Sequence, residues 1–273
     1  MYLYEKHLIV DCMKISIIGA GNMGGAIARG LAQGSLVAPS EITVTAATQR
    51  TLDAIKKCNG EINTTTDNLA AVKAADIVVL AVKPRLTDRI AAEIKPAIRG
   101  DQILVSVAAG VSFRHLESLF CAPGCSPALF RVIPNTAVAV GESMTSVASY
   151  RATPEQERLI LSLFDELGKS MMIEERLMEA ATALGSCGTA FALRYIRAAM
   201  EGGIEMGLSA VQAREMVAQT VKGAAELLLR NHTHPEEEID KVTTPGGITI
   251  KGLNEMERAG FTSAVIRGLK VSK

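Results

Sequence analysis

The stretch Lys14-Ile15-Ser16-Ile17-Ile18-Gly19-Ala20-Gly21-Asn22-Met23-Gly24 decides the fold. Its first five residues are a short isoleucine-rich run, the pattern of a strand buried on both faces. A Gly-x-Gly-x-x-Gly loop follows, and Ala26 to Gln33 reads as the helix after it. Glycines at that spacing allow a tight turn, close approach of the backbone to a pyrophosphate, and close packing of helix on sheet. The helix start adds N–H donors and a partial positive charge. The strand–loop–helix context is what lifts the glycine pattern above a chance match. Gly19, Gly21, Asn22, Met23 and Gly24 are therefore candidate cofactor-binding residues.

Outward from this loop the first half of the chain keeps alternating. Strands are expected at Ile42 to Ala46, Ile77 to Val82, Ile103 to Val107, Leu129 to Ile133, Met144 to Ala148 and Met171 to Ile173. Helices are expected at Gln49 to Cys58, at Leu86 to Ile98 with Pro96 bending or ending it, after Ser112, and from Pro154. Short continuous apolar strands separated by helices predict a doubly wound parallel sheet of Rossmann type over residues 13–173.

From Glu174 the pattern is helical only, with stretches at Arg176 to Leu184, Ala190 to Met206 and Ser209 to Leu229. Ser209 to Gln212 fits a capping box, and Gly207 a break between antiparallel helices. Phe191, Ala192, Leu193, Ile196, Ala198, Ala199 and Met200 make one helix apolar nearly all round. Such a helix needs cover on every side, so residues 174–273 are expected to form an all-α dimerisation domain that builds a homodimer. Residues 1–12 read as a short extension before Met13 that carries no function.

Composition excludes several classes. Lys+Arg and Asp+Glu are equal at 29, so nothing favours nucleic acid or an anionic membrane surface. No uncharged stretch reaches the roughly 18 residues of a spanning helix. Five scattered cysteines read as reduced thiols of a cytoplasmic chain. Cys121 and Cys125 have no second pair to complete a zinc site, and His232 and His234 beside Glu236, Glu237 and Glu238 read as a solvated helix start. No metal is expected.

Ligands of open α/β sheets sit at the C-terminal strand ends. The second strand ends in Ala46-Ala47-Thr48-Gln49-Arg50, without the acid that accepts the ribose hydroxyls of NAD. Thr48 offers a hydroxyl and Arg50 a guanidinium fork suited to phosphate, which favours NADPH over NADH. Ala81, Val82, Lys83 and Pro84 form a second such end; Ala108, Ala109 and Gly110 form a third. The small residues leave room for a ring or serve packing. In a fourth end, Arg131 to Thr136, Asn135 either hydrogen-bonds a nicotinamide carboxamide or shapes the turn.

Near the C-terminus stands a different loop, Thr243-Thr244-Pro245-Gly246-Gly247-Ile248-Thr249. Proline fixes one backbone angle and the glycines permit angles barred to other residues. Such a loop can turn N–H groups towards a small anion or serve simply as a helix–helix turn.

These pieces, in this order and followed by Lys251-Gly252-Leu253, resemble the pyrroline-5-carboxylate reductase family over nearly the whole chain from Met13. The Val242 to Thr249 segment is the most specific part. The resemblance implies an NAD(P)H-dependent enzyme that reduces the cyclic imine pyrroline-5-carboxylate to proline, the last step of proline biosynthesis. It implies an interlocked dimer, in many members assembled into rings of dimers, with this loop facing the partner's cofactor. It makes Thr249 the catalytic candidate, hydrogen-bonded to the ring nitrogen. Thr243, Thr244, Gly246, Gly247 and Ile248 then receive the substrate carboxylate. Leu184 to Phe191 departs from the family's Ser-Gly-Ser-Gly-Pro-Ala-Tyr pattern, with Cys187, Thr189 and Phe191 where the pattern has other residues. Thr189 is expected to cap the long helix in place of the proline. A reductase of another cyclic imino acid, or a non-catalytic NADP-binding dimer, are the alternatives.

Overall fold

The computed structural model describes residues 13–273; the reading of residues 1–12 lies outside them. Residue contacts divide the chain into two compact units, the first ending at Ser186 and the second running from Cys187 to Lys273.

The first unit is built on one eight-stranded sheet of order β3-β2-β1-β4-β5-β6-β7-β8. The strands are β1 (Ile15–Ile18), β2 (Ile42–Thr45), β3 (Asn63–Thr65), β4 (Ile77–Leu80), β5 (Ile103–Ser106), β6 (Ala128–Ile133), β7 (Ser143–Tyr150) and β8 (Gly168–Met172). Helices α1 (Asn22–Leu31), α2 (Gln49–Cys58), α3 (Asn68–Ala74), α4 (Thr87–Ile94), α5 (Phe113–Phe120) and α6 (Pro154–Asp165) cover it.

Strand alternation explains the layers. Ile77 and Val79 of β4 face one core with Ile27, Leu31, Ile160 and Phe164; Val78 and Leu80 face another with Val72, Ile94, Leu116 and Phe120. Both faces are buried, so the strand reads as a continuous apolar run.

Three local readings change. The first helix starts at Asn22, so Gly24 lies inside its first turn. β3 and α3, absent from the sequence reading, extend the sheet beyond β2. β7 runs antiparallel to β6, with β8 parallel to β7, so the sheet is mostly rather than wholly parallel. The connection from Ile133 to Ser143 is too short for a parallel crossover, which needs about a dozen residues or more.

After β8 the chain makes a 3-10 turn (Glu175–Leu177), one α-turn (Met178–Ala181) and a π-helical stretch (Thr182–Cys187). Met178 and Ala183 are buried and belong to the first unit by contact.

The second unit is all helix: α7 (Gly188–Glu205), α8 (Ala210–Asn231), α9 (Pro235–Val242), α10 (Ile248–Arg258) and α11 (Phe261–Val271). Gly207, at φ +100°, breaks α7 from α8, and Ser209 with Gln212 closes the capping box. Thr189 does not cap α7: the π-stretch runs straight into the helix, Cys187 stands at the helix start, and Thr189 lies within the first turn. Within α7 to α11 only Gly203 and Ala213 are buried, while Phe191, Leu193, Met216, Leu227, Phe261 and Ile266 stand exposed.

Candidate active site

β1 and β4 lie side by side at the point where the strand order reverses, which is where an open α/β sheet forms its ligand crevice. Backbone hydrogen bonds align the strand ends there. Gly19 N–H donates to the Thr45 carbonyl at 3.1 Å and Ala81 N–H to the Ile18 carbonyl at 2.9 Å. Gly19 has φ +107°, and a Cβ there would lie 2.8 Å from the Ala81 carbonyl oxygen. Gly24 is held to glycine by packing, because a Cβ would run into the Gly19 carbonyl oxygen and the Ala81 methyl.

Gly21 differs. Its backbone is ordinary extended chain (φ −70°, ψ −169°) and a Cβ would meet no protein atom within 4 Å. Protein packing does not require a glycine there; close approach of a ligand would. Gly21 is also the N-cap of α1 and provides no side-chain cap, and the first turn holds no acid. Helix geometry leaves the first N–H groups without intrahelical acceptors. Asn22 is exposed and Met23 half-buried beside them.

The start of α2 repeats the pattern. Thr48 is its N-cap without a side-chain cap, its hydroxyl lying 2.9 Å from that of Thr51. No acid stands in the first turn, and Arg50 is exposed. An open helix start beside an exposed guanidinium fits a phosphate monoester.

Lys83 and Pro84 are exposed at the end of β4, with Ala81 and Val82 half-buried behind them. Beyond β5, Ala108 is buried in the core, whereas Ala109 and Gly110 are exposed. Asn135 has both ends of its side-chain amide engaged, the oxygen in the turn and the nitrogen on the π-stretch. Its oxygen accepts from Ala137 N–H at 2.9 Å and its nitrogen donates to the Gly185 carbonyl at 3.1 Å. Asn135 N–H donates to Ser143 Oγ at 3.1 Å. Asn135 thus pins the π-stretch to the end of β6, a role its sequence position did not specify.

In the second unit, Thr243 to Gly247 joins α9 to α10, and Ile248 and Thr249 open α10. Gly246 has φ +72°, and Gly247 N–H donates to the Thr244 carbonyl at 2.9 Å, so that N–H serves the turn and is not open to an anion. The Thr243 hydroxyl likewise turns back, donating to the Ile239 and Asp240 carbonyls at 3.1 and 3.2 Å. Gly247 is the N-cap of α10 without a side-chain cap, and the first turn, with Ile248 and Thr249, holds no acid. Ile248, Thr249, Thr244 and Gly246 are exposed. The loop therefore presents an open helix start, with Thr249 one residue inside it.

Among the described residues no cluster of His, Cys, Asp and Glu could hold a metal ion, and no helix is long and apolar enough to cross a membrane. His234 caps α9, its Nδ1 accepting from Glu236 N–H at 3.3 Å. Cys58, Cys121, Cys125 and Cys187 are unbridged. Burial pushes the Cys121 thiol above its ordinary range, against the pull of Arg151.

Sheet order, switch point and the open starts of α1 and α2 define a dinucleotide-binding domain of the Rossmann type. Residues 14–110 match the family model "NADP oxidoreductase coenzyme F420-dependent", and residues 175–273 match "Pyrroline-5-carboxylate reductase dimerisation". The chain belongs to the pyrroline-5-carboxylate reductase family. It is 38% identical to pyrroline-5-carboxylate reductase 2 of Dictyostelium discoideum, over 94% of this chain and 90% of that protein. It is 35% identical to the pyrroline-5-carboxylate reductase of Methanosarcina acetivorans, over 97% and 98%. The crystal structure of Plasmodium falciparum pyrroline carboxylate reductase with NADP bound superposes with a TM-score of 0.86 at 26% identity, covering 96% of each chain.

Proposed function

We infer that the protein reduces the cyclic imine pyrroline-5-carboxylate to proline with NADPH, the last step of proline biosynthesis. The observation that carries this reading is the joint presence of two open helix starts on the sheet unit, at Gly21 and Thr48, and a third at Gly247 in a chain of this family.

NADPH supplies the hydride. The α1 start, from Gly21 to Gly24, holds the pyrophosphate, and Thr48 with Arg50 holds the 2′-phosphate that separates NADPH from NADH. The exposed Lys83, Ala109 and Gly110 border the place of the nicotinamide. The substrate carboxylate takes the N–H groups of Ile248 and Thr249 at the start of α10, with the Thr244 hydroxyl and Gly246 N–H beside them. Thr249 Oγ1 hydrogen-bonds the ring nitrogen and orients the ring. The protonated imine already carries positive charge, so its carbon accepts hydride without a strong general acid. The nitrogen keeps its proton and gains the electron pair of the broken π bond. Proximity and orientation supply the rest, with the reacting carbons about 3–3.5 Å apart.

The exposed apolar faces of α7 to α11 are covered by a second copy in a homodimer, with a ring of dimers as the larger assembly, and the enzyme works in the cytoplasm. The experiment is to follow cofactor absorbance on adding pyrroline-5-carboxylate, with NADPH and NADH in parallel and proline measured as product. Oxidation of NADPH with proline formed is the expected result. No turnover above background at millimolar imine refutes the reading.

A further inference from the structure

One carboxylate ties together the strand ends around the third candidate loop. Glu175 Oε1 accepts from the Phe113 N–H at 2.6 Å and from Arg131 Nη1 at 2.8 Å. Phe113 is the first residue of α5 and closes the loop that carries Ala108, Ala109 and Gly110 away from β5. A first-turn N–H has no acceptor inside its own helix. Ser112 takes that of His115 at 3.2 Å, and Glu175 takes that of Phe113.

Arg131 lies on β6 directly beside Ser106, the last residue of β5. Its side chain is 9% exposed, its Nε has no partner, and Glu175 is its one ion-pair partner among the described residues. Phe113 is fixed from the other side as well, its ring stacked on Tyr150 with centroids 5.7 Å apart. The loop between Ser106 and Phe113 is thus anchored at its far end by an acid that is itself anchored on the neighbouring strand. Charge-assisted bonds of this kind are about twice as strong as neutral ones.

We propose that Glu175 is a positioning residue for the reduction: with Arg131 it clamps the Ala108–Gly110 loop against β6 and so sets the wall on which the nicotinamide end of the cofactor rests. The inference builds on the function proposed above. It gives a role to an acid three residues beyond β8, at the start of the 3-10 turn by which the chain leaves the sheet. Glu175 touches neither substrate nor cofactor; it acts through the main chain of Phe113.

The test uses the full-length protein and two variants. Glu175→Gln keeps the shape and a neutral acceptor. The paired Arg131→Met/Glu175→Leu variant removes both charges, so no orphan charge is left in the core. NADPH affinity is measured by fluorescence titration, kcat and both KM values by steady-state kinetics, and folding by thermal melt. Loss of a charge-assisted bond predicts an NADPH Kd raised about tenfold or more in the paired variant. In that variant kcat falls and the imine KM moves less than twofold, and the glutamine variant lies between it and the wild type. A purely structural pair would lower the melting temperature and leave Kd and kcat alone. An unchanged NADPH Kd in either folded variant overturns the proposal. If the wild-type protein binds NADPH yet reduces no imine, the functional reading falls, while the Kd comparison still decides the clamp.

Discussion

Gly21→Ala separates a ligand-imposed glycine from a packing-imposed one. The new methyl meets no protein atom within 4 Å, and the backbone at Gly21 (φ −70°, ψ −169°) is open to alanine. Two small effects on stability oppose each other. Alanine restricts the unfolded chain, worth about 0.4–1 kcal/mol. Alanine is also a poorer N-cap than glycine. The net is within about 1 kcal/mol, a shift of no more than about 4 °C in melting temperature for a chain of this size. The effect on the cofactor is of another order. A methyl placed where the pyrophosphate meets the helix start acts as overpacking, about 1–3 kcal/mol. That weakens NADPH binding roughly five- to 150-fold. Gly24→Ala is the control: its methyl collides with the Gly19 carbonyl and Ala81, so stability and binding fall together. Fluorescence titration with NADPH and a thermal melt measure both quantities on each variant. Wild-type affinity in a stable Gly21→Ala protein would refute the placement of the pyrophosphate on α1.

Three further outcomes are expected. Arg50→Ala raises the KM for NADPH about tenfold and leaves that for NADH unchanged, as loss of a charged hydrogen-bond donor would; equal effects on both cofactors would remove Arg50 from 2′-phosphate recognition. Thr249→Ala lowers kcat about two- to tenfold, the worth of one neutral hydrogen bond, with the NADPH Kd unchanged; wild-type kcat would take Thr249 out of the mechanism. Asn135→Ala removes the acceptor of the part-buried Ala137 N–H and the tie from the end of β6 to the Gly185 carbonyl, and costs about 1–3 kcal/mol in chemical denaturation; a stability loss below half that range would contradict its role as the pin of the π-stretch.

Much of this molecule was legible from its residues, and the exceptions have physical reasons. β1, β4 and β5 show because both faces of each strand are buried, which leaves unbroken apolar runs. β3 is Asn63-Thr64-Thr65, a polar edge strand with no such imprint, and α3 is only seven residues long. The direction of β7 is invisible to periodicity; the short connection after Ile133 carried that information. The glycine loop was legible because three different causes restrict residue type there: the backbone angle at Gly19, packing at Gly24 and room for a ligand at Gly21. Glu175 was not, since it acts on a main-chain N–H 62 residues away, and no spacing rule reaches that far. Asn135 stood out as a polar residue at a strand end, but its direction was a matter of tertiary contacts. Thr189 looked like a cap only while the helix was taken to begin there; the π-stretch carries the helix through.

The scarcity of buried side chains in α7 to α11 has a consequence for how the protein's stability is defined. In the homodimer proposed above, a unit that shields only Gly203 and Ala213 by itself draws its apolar cover from the second copy. Folding and association of these helices are then one event, governed by mass action. For a dimer, a hundredfold dilution removes about 2.7 kcal/mol of the free energy holding it together. Expression level thus becomes a structural variable, and the helical unit that carries Thr249 is the part of the chain that depends on it.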